Sequence, residues 1–125
     1  YSFALGGGAR GAEAVALIEA EGGTARFAAT DVTDPDAVQA MVDGAVAAYG
    51  RLHVLHNNAY WAPLGRSVVD TSMQEWDRAI ATTLTSVFLG CKAAIPHMVE
   101  AGGGTIVNTA STSGLAATPT FAAYI

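Results

Sequence analysis

The strongest constraint on the fold is an alternation: short apolar runs, each preceded by a helix-length stretch that glycine closes. Val54 to Asn57 and Thr105 to Asn108 (TIVN) are apolar segments of the kind buried in a parallel sheet. Ahead of the first, Asp34 offers an N-cap and Pro35 sits at the first helical position. Val38, Met41, Val42, Ala45, Val46 and Tyr49 then recur at helical spacing, and Gly50 closes the helix. Ahead of the second, Thr71 and Ser72, with Gln74 and Glu75 following, form two overlapping capping boxes. The helix they open runs through Trp76 and Ile80. It resumes with Leu84, Val87, Phe88, Cys91, Ala94, Ile95 and Met98, an apolar stripe expected to face the sheet. Pro96 is expected to bend or loosen its last turn, and Gly102 to Gly104 to end it. Upstream, Gly11 to Glu21 carries Ala14, Val15, Leu17 and Ile18 at helical spacing before the C-cap pair Gly22-Gly23. Ala25 to Thr30 (ARFAAT) reads as another short strand. Strands alternating with helices of this length imply an α/β fold with a parallel sheet and helices on its faces.

No repeat, charge block or Pro/Ser linker marks a boundary, so residues 1–125 read as one domain or part of one. A chain that is 51% hydrophobic and 14% charged is not intrinsically disordered. With a net charge of −5 and Lys92 as its single lysine, it has no basic stripe to neutralise phosphates, which argues against nucleic acid as a partner. The lone Cys91 excludes an internal disulfide and a cysteine-based zinc site. No apolar run approaches the roughly 18 residues of a membrane span. A soluble, cytoplasmic protein without a membrane partner is therefore expected. The chain begins at Tyr1 and stops at Ile125 within an apolar segment, as though cut at both ends. His53 and His56 would point to opposite faces of a strand, and no carboxylate spacing joins them or His97, so no metal site is expected. Cys91, Trp76 and Phe88 read as packing residues.

Two motifs carry possible chemistry. Gly6-x-Gly8-x-x-Gly11 precedes a helix, and Asp31 lies 20 residues beyond Gly11. As a dinucleotide fingerprint, the glycines would admit a pyrophosphate to the helix N-terminus and Asp31 would take ribose hydroxyls. In a chain with 14 glycines, the same spacing also arises by chance or as a remnant. The second motif is a series in order: Asp31-Val32-Thr33-Asp34, then Asn57-Asn58-Ala59, then Asn108-Thr109-Ala110-Ser111, with Tyr124 13 residues after Ser111.

In these segments, in GRLHVLHNNA, in EWDRAIATTLTSVFLGCKAAIPHM and in GGGTIVNTASTSG, the sequence resembles the classical short-chain dehydrogenase/reductase family. The resemblance runs from about Gly11 to Tyr124. It implies a Rossmann-type doubly wound parallel sheet, here a partial three-layer αβα domain, binding NAD or NADP at the strand C-termini. Carried over, Asp31 and Val32 lie by the adenine, and Asn58 and Ala59 flank the adenosine ribose. Ser111 hydrogen-bonds the substrate oxygen, and Tyr124 transfers the proton. These types suit the reaction, because a proton must move on oxygen as hydride moves at carbon. An unperturbed phenol is ionised in only about one molecule in a thousand at pH 7. In the family, a lysine four residues after the tyrosine favours the phenolate; that position lies beyond Ile125.

The sequence also departs from the family. Tyr60 and Trp61 follow Asn-Asn-Ala where the family has glycine, and Thr83 aligns with its relay asparagine. The family's glycine loop lies further upstream of DVTD than Gly6 to Gly11 does. The resemblance thus implies that this chain carries the third, fourth and fifth strands of a sheet ordered 3-2-1-4-5-6-7. Alone it is expected to be inactive, with Ala25 to Thr30 lacking its sheet neighbours. The expected function is hydride transfer between a nicotinamide cofactor and a secondary alcohol or its ketone, by a protein that is a homo-oligomer when complete. The alternatives are a non-catalytic remnant and a nucleotide binder without turnover.

Overall fold

The computed structural model describes residues 8–116 and 120–124. Its sheet has two parallel strands, β1 (Val54–Asn57) and β2 (Thr105–Asn108), at the bounds the apolar runs predict. Val54 pairs with Thr105 and Asn57 with Asn108. The ladder is extended by Thr105 N–H donating to His53 C=O (2.8 Å) and Thr109 N–H donating to Asn57 C=O (2.9 Å).

Helix α1 spans Gly8–Ala20, starting three residues before the expected Gly11. Its end matches expectation: Gly23 N–H reaches Ile18 C=O (2.9 Å) and Gly22 N–H reaches Glu19 C=O (3.0 Å), a Schellman closure. Gly11 lies inside this helix, where a Cβ would stand 2.2 Å from the Phe27 ring. Among the described residues, Gly8 and Gly11 are therefore helical rather than part of a phosphate loop, and Gly11 is needed for the approach of Phe27. Gly6 lies outside the described residues.

The strand expected at Ala25 to Thr30 does not form. The segment is irregular, with Ala25 buried, and no described strand lies beside it to take its backbone groups. A strand needs a neighbour as well as a sequence.

Helix α2 (Pro35–Tyr49) is built as its local chemistry dictates. The Asp34 carboxylate accepts from Asp36 and Ala37 N–H (2.9 and 3.3 Å), Pro35 opens the first turn, and Gly50 closes it at φ 80°.

Helix α3 (Met73–Ile80) starts from the expected capping box, in which Ser72 and Glu75 bond each other's N–H groups. A π turn (Ala81–Thr85) joins it to α4 (Ser86–Glu100) without a break. The helix continues through Pro96, so the expected loosening leaves its last turn intact. It closes with Gly103 N–H on Met98 C=O at 2.7 Å. By length and composition, Met73–Glu100 is long and apolar enough to cross a membrane, which corrects the expectation that no apolar run approaches that length. One of its faces packs on the core. Ala93 joins Val38 and Val42 of α2, while Ala94 and Met98 join Leu55 of β1.

The buried face of α4 is Ser86, Gly90, Ala93, Ala94 and Met98. This corrects the expected stripe in part: Ala94 and Met98 are buried as expected, but Leu84 (64% exposed), Phe88 (61%) and Ile95 (46%) face outward, as does Trp76 (43%). Small residues hold the inner face because they let the helix backbone approach β1 and α2 closely.

Candidate active site

Both strands end side by side, so the segments leaving them start from one edge. Asn57 ties that edge together. Its amide donates to Asn108 Oδ1 (2.8 Å) and lies 3.8 Å from the half-buried Cys91 thiol. Its Oδ1 is directed at α4, where a Cβ on Gly90 would stand only 2.6 Å away. The sequence reading missed this Asn57–Asn108–Gly90 contact. A glycine within an apolar helix was the available signal, since it costs about 1 kcal/mol relative to alanine unless something must come close.

Along the length of β1, a cleft of about 820 Å³ opens between the strand, the inner face of α2 and the irregular segment before that helix. Val32, Asn58 and Ala59, three of the four residues expected at the cofactor, line it together with Thr30 and Tyr60. Asp31 adjoins the cleft through Val32 but is not part of its wall. Thr33 N–H (2.9 Å) and its hydroxyl (2.7 Å) both donate to Asp31 Oδ1. These bonds hold the Asp31 carboxyl below its ordinary range, the backbone one most, and leave Oδ2 free.

Ser111 caps a short 3₁₀ turn (Thr112–Gly114), its Oγ accepting from Ser113 N–H at 3.1 Å. Tyr124 lies in a turn closed by its own N–H on Phe121 C=O (2.9 Å) and is partly buried. Its ring meets Tyr60 at 5.6 Å between centroids and Phe121 at 6.4 Å, both tilted by 51°. Ser111 and Tyr124 do not line the cleft; Tyr60 does, and it touches Tyr124.

The two aromatics after Asn-Asn-Ala have separate partners. The Arg78 guanidinium lies 4.4 Å over the Trp61 ring. Thr83 Oγ1, in the π turn, accepts from Trp61 N–H (3.3 Å) and donates to Trp61 C=O (3.2 Å). The Thr83 hydroxyl is thus engaged with the loop. The loop is also tied lower down, where Arg66 bridges to Phe121 and its Nε pairs with Glu75 (3.2 Å).

The histidines are scattered. His56 Nε2 meets Thr109 Oγ1 (2.7 Å), His97 Nε2 meets Asp43 (2.8 Å) between α2 and α4, and His53 is exposed. Among the described residues, no group of three or more His, Cys, Asp or Glu could hold a metal ion.

A parallel sheet flanked by helices, with Asn58 and Ala59 at a strand C-terminus, is the architecture of the nucleotide-binding α/β folds. The family model for the short chain dehydrogenases matches residues 4–125, and the chain belongs to that family, with its Rossmann-type fold. It is 47% identical over 94 residues to a 3-alpha-(or 20-beta)-hydroxysteroid dehydrogenase of Mycobacterium tuberculosis, covering 75% of this chain and 36% of that protein. It is 44% identical over 114 residues to a cyclopentanol dehydrogenase of Comamonas testosteroni, covering 91% and 45%. Among solved structures, an NAD+-bound xylitol dehydrogenase superposes with a TM-score of 0.86 at 33% identity, covering 91% of this chain and 44% of that one. The chain therefore spans less than half the length of each of these relatives.

Proposed function

We propose that this chain is part of an NAD(P)-dependent oxidoreductase that moves hydride between the nicotinamide cofactor and a secondary alcohol or its ketone. One observation carries the reading: Tyr60 lines the cleft with Val32, Asn58 and Ala59, and its ring also rests on Tyr124. The cofactor wall and the proton-transfer candidate thus share a side chain. The relatives named above are all dehydrogenases, which favours catalysis over a non-catalytic remnant.

The residues present suit the adenosine end of the cofactor. Val32 and Ala59 give the cleft apolar walls; the Asn58 amide and the free oxygen of Asp31 provide polar groups for adenine and ribose. Among the described residues, no glycine loop cradles the pyrophosphate. The bound cofactor supplies or accepts the hydride. Ser111 then has the remaining task at the substrate. Its Oγ already accepts from Ser113, so its proton is free to be donated to the substrate oxygen. Tyr124 gives or takes the proton on that same oxygen, offsetting the charge that hydride transfer would leave there.

The complete protein is proposed to be a cytoplasmic homo-oligomer, with residues 1–125 forming one partial domain of each protomer. The outward apolar residues Leu84, Phe88 and Ile95 supply the surface for association.

The test is Tyr124→Phe in the longest natural polypeptide that contains this chain. Turnover should fall about 10²-fold or more while NAD(P) affinity is kept. Near-normal turnover would end the assignment.

A further inference from the structure

We infer that Tyr60 is the specificity-determining residue of this site, an aromatic wall that favours cyclic apolar alcohols over linear polyols; the inference rests on the functional reading above. Three observations lead to it.

The first is position. Tyr60 follows Asn58-Ala59 directly and lines the same cleft, and its ring lies 5.6 Å from that of Tyr124. Phe121 flanks Tyr124 as well, at 6.4 Å. Tyr60 is nevertheless 63% exposed, so much of its ring is open to a ligand. An alcohol whose oxygen meets the Tyr124 phenol lies beside that ring.

The second is fixation. A wall selects only if it stays in place. The neighbouring residue is held at three points: Thr83 Oγ1 bonds both the N–H and the C=O of Trp61, and Arg78 lies over its indole. With Trp61 anchored to the long helix, Tyr60 and Phe121 are the aromatic residues beside Tyr124, and of the two Tyr60 lines the cleft. Thr83 is accordingly a positioning residue.

The third is chemistry. An aromatic face receives the C–H groups of an alicyclic ring through dispersion and apolar burial. The hydroxyls of a linear polyol on the same face would lose water without gaining a partner. Both substrate types are named among the chain's relatives, cyclopentanol in one and xylitol in another. The shared scaffold therefore does not decide between them, and the side chains beside Tyr124, Tyr60 among them, contribute to the choice.

The experiment compares kcat and KM for cyclopentanol and xylitol in the longest natural polypeptide containing the chain, with NAD and with NADP. The parent should prefer cyclopentanol. Tyr60→Ala should lower kcat/KM for cyclopentanol roughly tenfold, mainly through KM, and leave xylitol within about twofold. Tyr60→Phe should keep the parent's preference, and Tyr60→Leu, which retains bulk without the ring, should lose most of it. Thr83→Val should shift the ratio in the same direction, and Thr83→Ser should restore it. Equal losses on both alcohols, or a parent that prefers xylitol, would overturn the inference. So would a parent that turns over other secondary alcohols but neither of these. A parent with no alcohol turnover with either cofactor would overturn the functional reading, and the inference with it.

Discussion

Replacing Gly90 with alanine should show how closely the long helix is fitted to the strand ends. In an isolated helix the change is favourable by about 1 kcal/mol, because glycine loses more backbone entropy on folding. Here the new methyl would stand 2.6 Å from Asn57 Oδ1, with Asn57 Cγ at 3.5 Å and Leu55 Cδ2 at 3.6 Å. The amide must turn away. It cannot do so while its Nδ2 donates to Asn108 Oδ1 at 2.8 Å. Losing that bond costs about 1 kcal/mol, and leaving the half-buried Asn57 amide poorly paired adds about 1 more. Gly90→Ala alone should therefore destabilise by about 1 kcal/mol net, the sum of those terms less the helix gain. In an Asn57→Ala background the obstacle is gone, and the same change should stabilise by about 1 kcal/mol. The coupling between the two sites is then about 2 kcal/mol, well beyond the few tenths expected of independent positions. Urea unfolding of the four proteins of the cycle, in the longest natural polypeptide that contains the chain, measures it. Equal stabilisation by Gly90→Ala in both backgrounds would refute the contact as the reason for this glycine.

Asp34→Ala removes the acceptor for two N–H groups at the start of α2, and urea unfolding should show a loss of about 1 kcal/mol. Acid should destabilise the fold through Asp31, Asp43 and Glu75, whose carboxyls are held low by Thr33, by Gln39 and then His97, and by Ser72, respectively. A lowered folded pKa means that the unfolded chain binds more protons, so this stability is complete above the ordinary values of 3.8 and 4.5 and is lost as pH falls below them. A urea midpoint that stays level from pH 6 to pH 3 would contradict that sign. Light scattering of the complete protein at micromolar concentration should give a multiple of the protomer mass, and Phe88→Glu should reduce it to one; a monomer from the outset would remove the role proposed for the outer face of α4.

The sequence alone settled whatever is decided within a few residues along the chain. Asp34, Pro35 and Gly50 bound α2, and Ser72 with Glu75 opens α3, because each satisfies its orphan backbone groups through bonds spanning two to four positions. The runs at Val54–Asn57 and Thr105–Asn108 became strands for a related reason: each is apolar, bounded by turn residues, and has the other as its partner. Ala25 to Thr30 has comparable composition and no described partner, and it stayed irregular. Local pattern proposes a strand, but only a neighbour with free N–H and C=O groups makes one. The same limit governed the long helix. Counting apolar residues selected Ala94 and Met98, which are buried, but also Leu84, Phe88 and Ile95, which face outward, while it passed over Gly90 and Ala93. Hydrophobicity measures what a side chain gains by leaving water, but close approach between backbones is decided by side-chain volume. The site followed that division. Motif order named Val32, Asn58 and Ala59, which share a cleft, and Ser111 and Tyr124, which do not line it. The direction of Tyr60 and the task of Thr83 depend on contacts across 22 or more positions of chain, and only the folded molecule forms them.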